Sequence, residues 1–316
     1  MNNILERNQL EAIKEEFDRM TKYKVFRPVS KNRVPPKAKV VTSTWACKKK
    51  SNGTYRARMT LRGYEQIDGE HYDSSSIAAP VTNDTTVRCI MTLMLMAGWY
   101  GHVIDVKGAF LHGELGPDEI MYMIVPDGFE KFYPKNTLLK VEKATYGTKQ
   151  GAMAFWKELT LAMEDMGFER SKAEPCLYLK RHKKYGLLIF ISWVDDLLCF
   201  GVKEGVLKCI YELKRRFDTD DVGELDEYVG CKINHDKKKR SIRFTQPVMI
   251  QSFQDEFELP NGRDPVTPAE ENRVLVKCAE EHMLNKKDQK TYRSGVGKLL
   301  HMMRWSRPEI LNSVRG

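Results

Sequence analysis

Two adjacent carboxylates, Asp195 and Asp196, stand in the middle of the most apolar stretch of the chain, Leu187–Phe200. An uncompensated charge in such a setting is costly or neutralises itself. A divalent cation is a natural compensation, because hard ions such as Mg²⁺ take carboxylate oxygens. The plainer reading of the pair is a hairpin turn, where Asp is common. A third carboxylate shifts the balance. Asp105 lies in His102–Leu111, again a short, apolar, strand-like run. If one strand delivers Asp105 at its end and a hairpin delivers Asp195 and Asp196 beside it, the three form a two-metal site. Such a site clamps the attacking and leaving oxygens of an in-line displacement at phosphorus.

These acids need strands to carry them. Leu177–Leu179 and Gly186–Phe200 read as strands, the second turning at the Asp pair. Val40–Lys50 and Thr54–Arg62 read as the arms of a basic hairpin turning at Ser51-Asn52-Gly53. Arg56 and Arg58 are two apart and so face the same way on a strand. The hairpin is either a charged edge protected from aggregation or a finger that grips phosphate.

Helical spacing places Leu10, Ile13, Phe17 and Met20 on one face of a first helix capped by Asn8. Asp84 reads as the cap of a second, with Val87, Ile90, Met91, Met94 and Leu95 inward. A third carries Phe155, Leu159, Met163 and Met166, and Val206–Phe217, Val248–Phe257 and Tyr292–Trp305 follow. Gly113–Gly128 reads as a loop. Strands near Tyr228–Ile233 and Ser241–Thr245 flank the basic turn Lys237–Arg240, and Asn261–Asn272 reads as a linker. Helices and strands mix without βαβ alternation, which predicts an α+β fold.

The 316 residues can bury a sizeable core, and 41% hydrophobic with 30% charged content argues against wholesale disorder. A net charge of +9 is compatible with a polyanionic partner such as nucleic acid. Seven cysteines without a CxxC pair predict free thiols rather than a disulfide framework or zinc site. No signal-peptide core occurs in Met1–Phe17, and Leu187–Val194 is too short to span a bilayer. No membrane partner is therefore expected.

In order along the chain, the motifs resemble the reverse transcriptases of copia-type long-terminal-repeat retrotransposons. Tyr55-Arg56-Ala57-Arg58 with Gly63 resembles the family's fingers hairpin. The run Asp105-Val106-Lys107-Gly108-Ala109-Phe110-Leu111-His112-Gly113-Glu114-Leu115 resembles its first catalytic motif, and Tyr122-Met123 with Pro126-Asp127-Gly128-Phe129 the segment after it. Tyr146-Gly147-Thr148-Lys149-Gln150 resembles the substrate-binding loop. Gly167-Phe168 with Ala173–Tyr178 resembles the approach to the second catalytic motif, Trp193-Val194-Asp195-Asp196. Tyr292–Gly297 and Ser306–Ile310 resemble the region beyond the thumb.

The resemblance implies a right-hand polymerase fold of fingers, palm and thumb with an antiparallel palm sheet. It implies residues 1–260 as that unit, and 261–316 as a linker and the start of a connection that stops before a ribonuclease H domain. The expected reaction adds a deoxynucleotide to a primer 3′-hydroxyl on an RNA template. Asp105, Asp195 and Asp196 would be catalytic and would hold two Mg²⁺ ions, with Mn²⁺ as an alternative. Neighbouring strand residues alternate faces, which favours Asp195 over Asp196 as direct ligand unless the hairpin turns there.

Phe110 matches the residue beneath the incoming sugar, where a ring leaves no room for a 2′-hydroxyl; core packing is its alternative. Gln150 matches the residue that touches the nucleotide, with a surface position opening a helix as its alternative. Arg58, with Arg56 and Lys49, would grip the triphosphate. Trp193 departs from the family's usual Tyr: it keeps a stacking surface but loses a hydroxyl. The implied partners are an RNA template, a DNA or transfer RNA primer and deoxynucleoside triphosphates. The ribonuclease H, integrase, protease and capsid parts of a parent polyprotein are not in the sequence. The implied setting is the cytoplasm, within the family's virus-like particle, or the nucleus. A catalytically silent remnant that binds nucleic acid at most is the competing expectation.

Overall fold

The computed structural model describes residues 2–49, 53–259 and 283–315. The chain divides into two compact units, residues 1–82 with 104–221 and residues 83–103 with 222–316.

In the first unit, helix α1 (Asn2–Lys22) leads into β1 (Phe26–Ser30), β2 (Val40–Val41), β3 (Ser43–Lys49) and β4 (Tyr55–Leu61). The first helix starts before Asn8, the expected cap. Its inward face carries Ala12, Glu16, Phe17 and Met20, whereas Leu10 is 64% exposed. The buried face begins at Ala12, two residues after the Leu10 that spacing alone suggests.

The arm expected over Val40–Lys50 is two strands, broken where the Thr42 N–H and hydroxyl both donate to the Glu65 carboxylate, at 2.6 and 2.8 Å. The expected turn residues Ser51 and Asn52 lie outside the described residues. β3 and β4 pair antiparallel from Ser43–Leu61 to Lys49–Tyr55. Ala57, Met59 and Leu61 are buried while Arg56, Arg58 and Thr60 between them are half-buried, the alternation of a strand with one covered face.

A second sheet has the order β1-β7-β6-β2, where β6 is Met121–Ile124 and β7 is Thr137–Val141; β5 (Tyr100–Val106) precedes them in the chain. The β6 segment lies inside the stretch read as a loop. Gly113, Gly116, Pro117, Pro126 and Gly128 dominate that reading, yet Met121 and Met123 are buried and alternate with Tyr122 and Ile124. Phe17, Met20, Phe26, Met59, Leu61, Leu111, Met121 and Leu139 belong to the core that joins this sheet, α1 and β4.

The largest sheet has six strands in the order β12-β5-β11-β10-β9-β8. β8 is Glu169–Arg170, β9 Leu177–His182, β10 Gly186–Trp193, β11 Asp196–Gly201 and β12 Thr219–Glu224. The β8–β9, β9–β10 and β10–β11 pairs are antiparallel. Helix α3 (Gly151–Asp165) buries Phe155, Leu159 and Met163 as its spacing predicts. Within this half of the core, the Phe168 ring meets Phe190 edge-on at 5.2 Å and the Thr160 hydroxyl lies 2.9 Å from the Tyr178 hydroxyl.

The second unit contains α2 (Asp84–Ala97), the three-stranded sheet β13-β14-β15 (Glu227–Tyr228, Cys231–Asp236, Ser241–Thr245), α5 (Pro247–Phe257) and α6 (Lys286–Trp305). The cap of α2 is Asn83 rather than Asp84; its side chain accepts the Thr85 N–H at 2.9 Å. Asp84 instead pairs with Arg304 at 3.1 Å. Helix α4 (Lys203–Lys214) of the first unit begins three residues before its expected start. The segment read as a linker, Asn261–Asn272, lies outside the described residues. Among the described residues, helices and mainly antiparallel sheets mix as an α+β fold, the six cysteines are free, and no helix is long and apolar enough to cross a membrane.

Candidate active site

Asp105 is the second-last residue of β5 and half-buried. The residues around it, from Gly101 to Val106, are otherwise buried, so its carboxylate leaves the sheet at the one open position. Trp193 pairs with Asp196 across β10 and β11, which leaves Val194 and Asp195 as a two-residue turn. Cross-strand partners share a face, so Asp196 lies with Trp193 while Asp195 occupies the turn itself. The hairpin thus turns at the acid pair, so strand alternation does not by itself set Asp195 and Asp196 on opposite faces. Val194 has φ of +55°, a left-handed conformation that crowds a β-branched side chain. The Val106 N–H donates to the Asp195 carbonyl at 3.1 Å and ties the turn to the end of β5.

Burial raises the pKa of Asp105 most, and the charges of Asp195 and Asp220 raise it further; Arg56 and Lys107 offset part of this. Two carboxylates therefore crowd Asp105, and one of them, Asp220 of β12, is not in either sequence motif. Lys107 pairs with Asp220 at 2.6 Å, and its N–H donates to the Asp218 carbonyl at 2.8 Å. Asp218–Asp221, with three acids in four positions, was the signal for this cluster in the sequence.

Among the described residues, no three His, Cys, Asp or Glu side chains are gathered so as to hold a metal ion, so Asp105, Asp195 and Asp196 do not converge as the expected three-carboxylate site. The donor chemistry nevertheless fits a hard divalent ion. Asp105 and Asp195 offer carboxylate oxygens, and a cation between them would relieve the repulsion that raises Asp105.

Facing Asp105 is a pocket of about 320 Å³ lined by residues of α1, β4, β5 and β12, among them Glu16, Arg19, Arg56, Asp105, Lys107 and Asp220. Arg56 stands on its wall. Arg58, next along the same face of β4, lays its guanidinium over the Tyr146 ring at 5.0 Å. Its Nε is buried without a hydrogen-bond partner among the described residues. The structure does not bring Lys49 to them. Lys49 pairs with Tyr55, on the opposite face of the hairpin, and its ammonium lies 5.8 Å from the Tyr55 ring centroid. Lys48 is the lysine that shares a face with Arg56.

Phe110 sits in the short helical turn Ala109–His112 and is half-buried. Its ring meets Tyr146 edge-on at 5.6 Å. Tyr146 therefore touches both Phe110 and Arg58, a link that sequence reasoning missed although Tyr146 opens the loop motif. That loop is locked to β4, since the Leu61 N–H donates to the Tyr146 carbonyl at 2.8 Å. Gly147, at φ +86°, approaches so closely that a Cβ there would lie 2.1 Å from the Leu61 carbonyl oxygen.

Gln150 is buried, so the surface alternative is set aside. Its amide nitrogen donates to the His71 carbonyl at 2.9 Å, and its oxygen accepts from Gln66 at 3.0 Å. The Gln66 oxygen in turn accepts the Lys149 N–H at 2.8 Å. Gln150 thus knits the loop to the segment after β4.

The family described as reverse transcriptase (RNA-dependent DNA polymerase) matches residues 23–271. The chain is similar to the retrovirus-related Pol polyprotein from transposon TNT 1-94 of Nicotiana tabacum, 30% identical across 98% of this chain and 24% of that protein. It is 27% identical to the Pol polyprotein from transposon RE1 of Arabidopsis thaliana, across 89% of this chain and 19% of that one. The chain thus spans a quarter or less of these relatives' length. Among solved structures, a foamy viral protease-reverse transcriptase in complex with double-stranded DNA aligns over 93% of this chain and 40% of that one. Its TM-score is 0.43 and its identity 11%.

Proposed function

The chain belongs to the reverse transcriptase (RNA-dependent DNA polymerase) family, in its copia-type retrotransposon branch, and we propose that it extends a primer with deoxynucleotides on an RNA template. The observation that carries this reading is that the Asp195 turn is tied to the end of β5 beside Asp105, which lines one pocket together with Arg19 and Arg56. Carboxylates and guanidiniums lining one pocket suit a nucleoside triphosphate that arrives with divalent cations.

Asp105 and Asp195 would hold the cations, with Asp196 beside them on β11. Bound there, Mg²⁺ would supply charge stabilisation at the reacting phosphorus and lower the pKa of the primer hydroxyl. Lys107, engaged by Asp220, keeps a positive charge near the acids without entering their coordination. Arg56 orients the triphosphate, and Arg58 is set at its angle by stacking on Tyr146. Phe110, braced by the same Tyr146, closes the space beneath the sugar and selects against a 2′-hydroxyl. Gln150 acts by fixing the loop. The β3–β4 hairpin would then serve as fingers, the six-stranded sheet as palm, and the residues after β12 as thumb and connection.

The test is primer extension by the purified chain on an RNA template annealed to a DNA oligonucleotide, with Mg²⁺ and labelled deoxynucleotides. Extension by the wild type that falls by about 10³-fold in Asp195→Asn supports the reading, since the change keeps shape and removes one anionic ligand. No extension, with template-primer binding intact, would instead support the silent nucleic-acid-binding remnant.

A further inference from the structure

Glu16 is the buried charge that the acids of the site do not explain. It lies on α1, outside every motif, and is 2% exposed. A carboxylate is rarely sealed in a protein unless cations surround it. Here they do. Its Oε2 accepts from Arg19 Nη1 at 2.9 Å; burial raises its pKa, and the positive charges of Arg19, Arg56 and Arg58 offset part of that rise. Its second oxygen, Oε1, is buried with no hydrogen-bond partner among the described residues. Both Glu16 and Arg19 line the pocket that also holds Arg56 and Asp105.

We propose that Glu16 is a positioning residue for nucleotide binding: its carboxylate holds Arg19 and Arg56 in the spacing that receives the polyphosphate, which makes α1 part of the nucleotide site. This rests on the polymerase reading above. Arg19 and Arg56 line one small pocket, and their like charges repel each other. A shared anion keeps them converged before the substrate arrives, so the substrate meets an organised cradle rather than two dispersed side chains. The incompletely bonded Oε1 fits that role. Glu16 stands where it balances the guanidiniums electrostatically, not where it makes the most hydrogen bonds. Arg19 then becomes a further phosphate-facing residue.

Glu16→Gln tests this, because it keeps the shape and one acceptor for Arg19 and removes the charge. Two quantities are measured: the KM and kcat for deoxynucleotide in primer extension, and the equilibrium Kd of a fluorescent deoxynucleoside triphosphate on a template annealed to a chain-terminated primer. The expected result is a rise of about tenfold in KM and Kd with kcat within about twofold of wild type. Glu16→Asp, which keeps the charge, recovers most of the loss. The melting temperature of Glu16→Gln is equal to or above that of wild type, since a buried charge is gone.

A KM and Kd unchanged in Glu16→Gln would overturn the proposal, and so would a decrease, which would make Glu16 a competitor of the triphosphate. A wild type that binds template-primer but no nucleotide would remove the polymerase reading and this proposal together, a result distinct from either.

Discussion

The β10–β11 and β3–β4 hairpins both deliver charge to one pocket region, and they are built in opposite ways. In β10–β11, Leu188–Ser192 and Leu197–Gly201 are buried, the strands lie inside a six-stranded sheet, and the acids are confined to the turn. In β3–β4 the sheet has only two strands, β3 is mostly exposed, and basic residues run along the length. The difference follows from what each must do. Ion ligation depends on oxygen positions to a fraction of an ångström, which requires a turn clamped by a packed sheet. A polyphosphate is gripped by long side chains that adapt by rotamer, so a lightly supported hairpin suffices. Where fixed spacing is nonetheless needed, as at Arg56, a buried anion from another element supplies it.

The comparison breaks most visibly at Asp105. Asp105→Asn should abolish primer extension to about the same degree as loss of Asp195, on the order of 10³-fold. It should also make the metal-free protein more stable at neutral pH. The folded-state pKa of Asp105 is raised above its ordinary 3.8 by burial and by Asp195 and Asp220. A raised carboxylate pKa favours folding below the unfolded value, and that advantage is lost as pH rises through the folded value. At neutral pH the charged Asp105 is thus a burden that Asn lacks. Melting curves in chelator should show Asp105→Asn above wild type at pH 7, with the gap closing below pH 4. A gap that persists at low pH would mean that packing, not charge, distinguishes the two.

A smaller effect separates the two faces of β3–β4. Arg56→Gln should raise the KM for deoxynucleotide by about tenfold or more, the loss of a charge-assisted phosphate contact. Lys49→Gln, on the opposite face, should change it by less than about twofold. Equal effects would show that the hairpin acts through its summed charge and not through the face that β4 presents to Asp105.

Much of this was legible from residues alone. The apolar run around Asp195, the two-residue alternation of Arg56 and Arg58, and the helical stripes of α2 and α3 each depend on local periodicity, which sequence displays directly. The four-stranded sheet was not legible. β6 is short and flanked by Gly and Pro, and it is held between β7, the next strand, and β2, which is distant in sequence. Asp220 and Glu16 were missed for a related reason. An acid six residues past a helix, and one on the face of an amphipathic helix, look like solvated charges until the fold brings them to Asp105 and Arg56. Lys49 shows the converse. Its proximity to Arg56 in sequence says nothing about the face it occupies.

The smallest effect concerns the turn itself. Val194 carries a φ of +55°, which for a β-branched residue costs about 1 kcal/mol or more. Glycine reaches that conformation without a clash. Val194→Gly should therefore stabilise the protein by about 1 kcal/mol, less whatever the glycine loses in unfolded-chain entropy, and denaturant melts of the two chains would measure it. The functional sign is the informative part. The Val106 N–H bond to the Asp195 carbonyl fixes where the acid sits, and a valine forced into this turn has few alternative conformations. A glycine has many. If the rigid hairpin is what distinguishes the acidic site from the adaptable basic one, the variant gains stability and loses several-fold in kcat, with KM for nucleotide unchanged. A variant that gains stability and keeps its kcat would show that the six-stranded sheet holds Asp195 by itself, and that the valine's strain serves no positioning role.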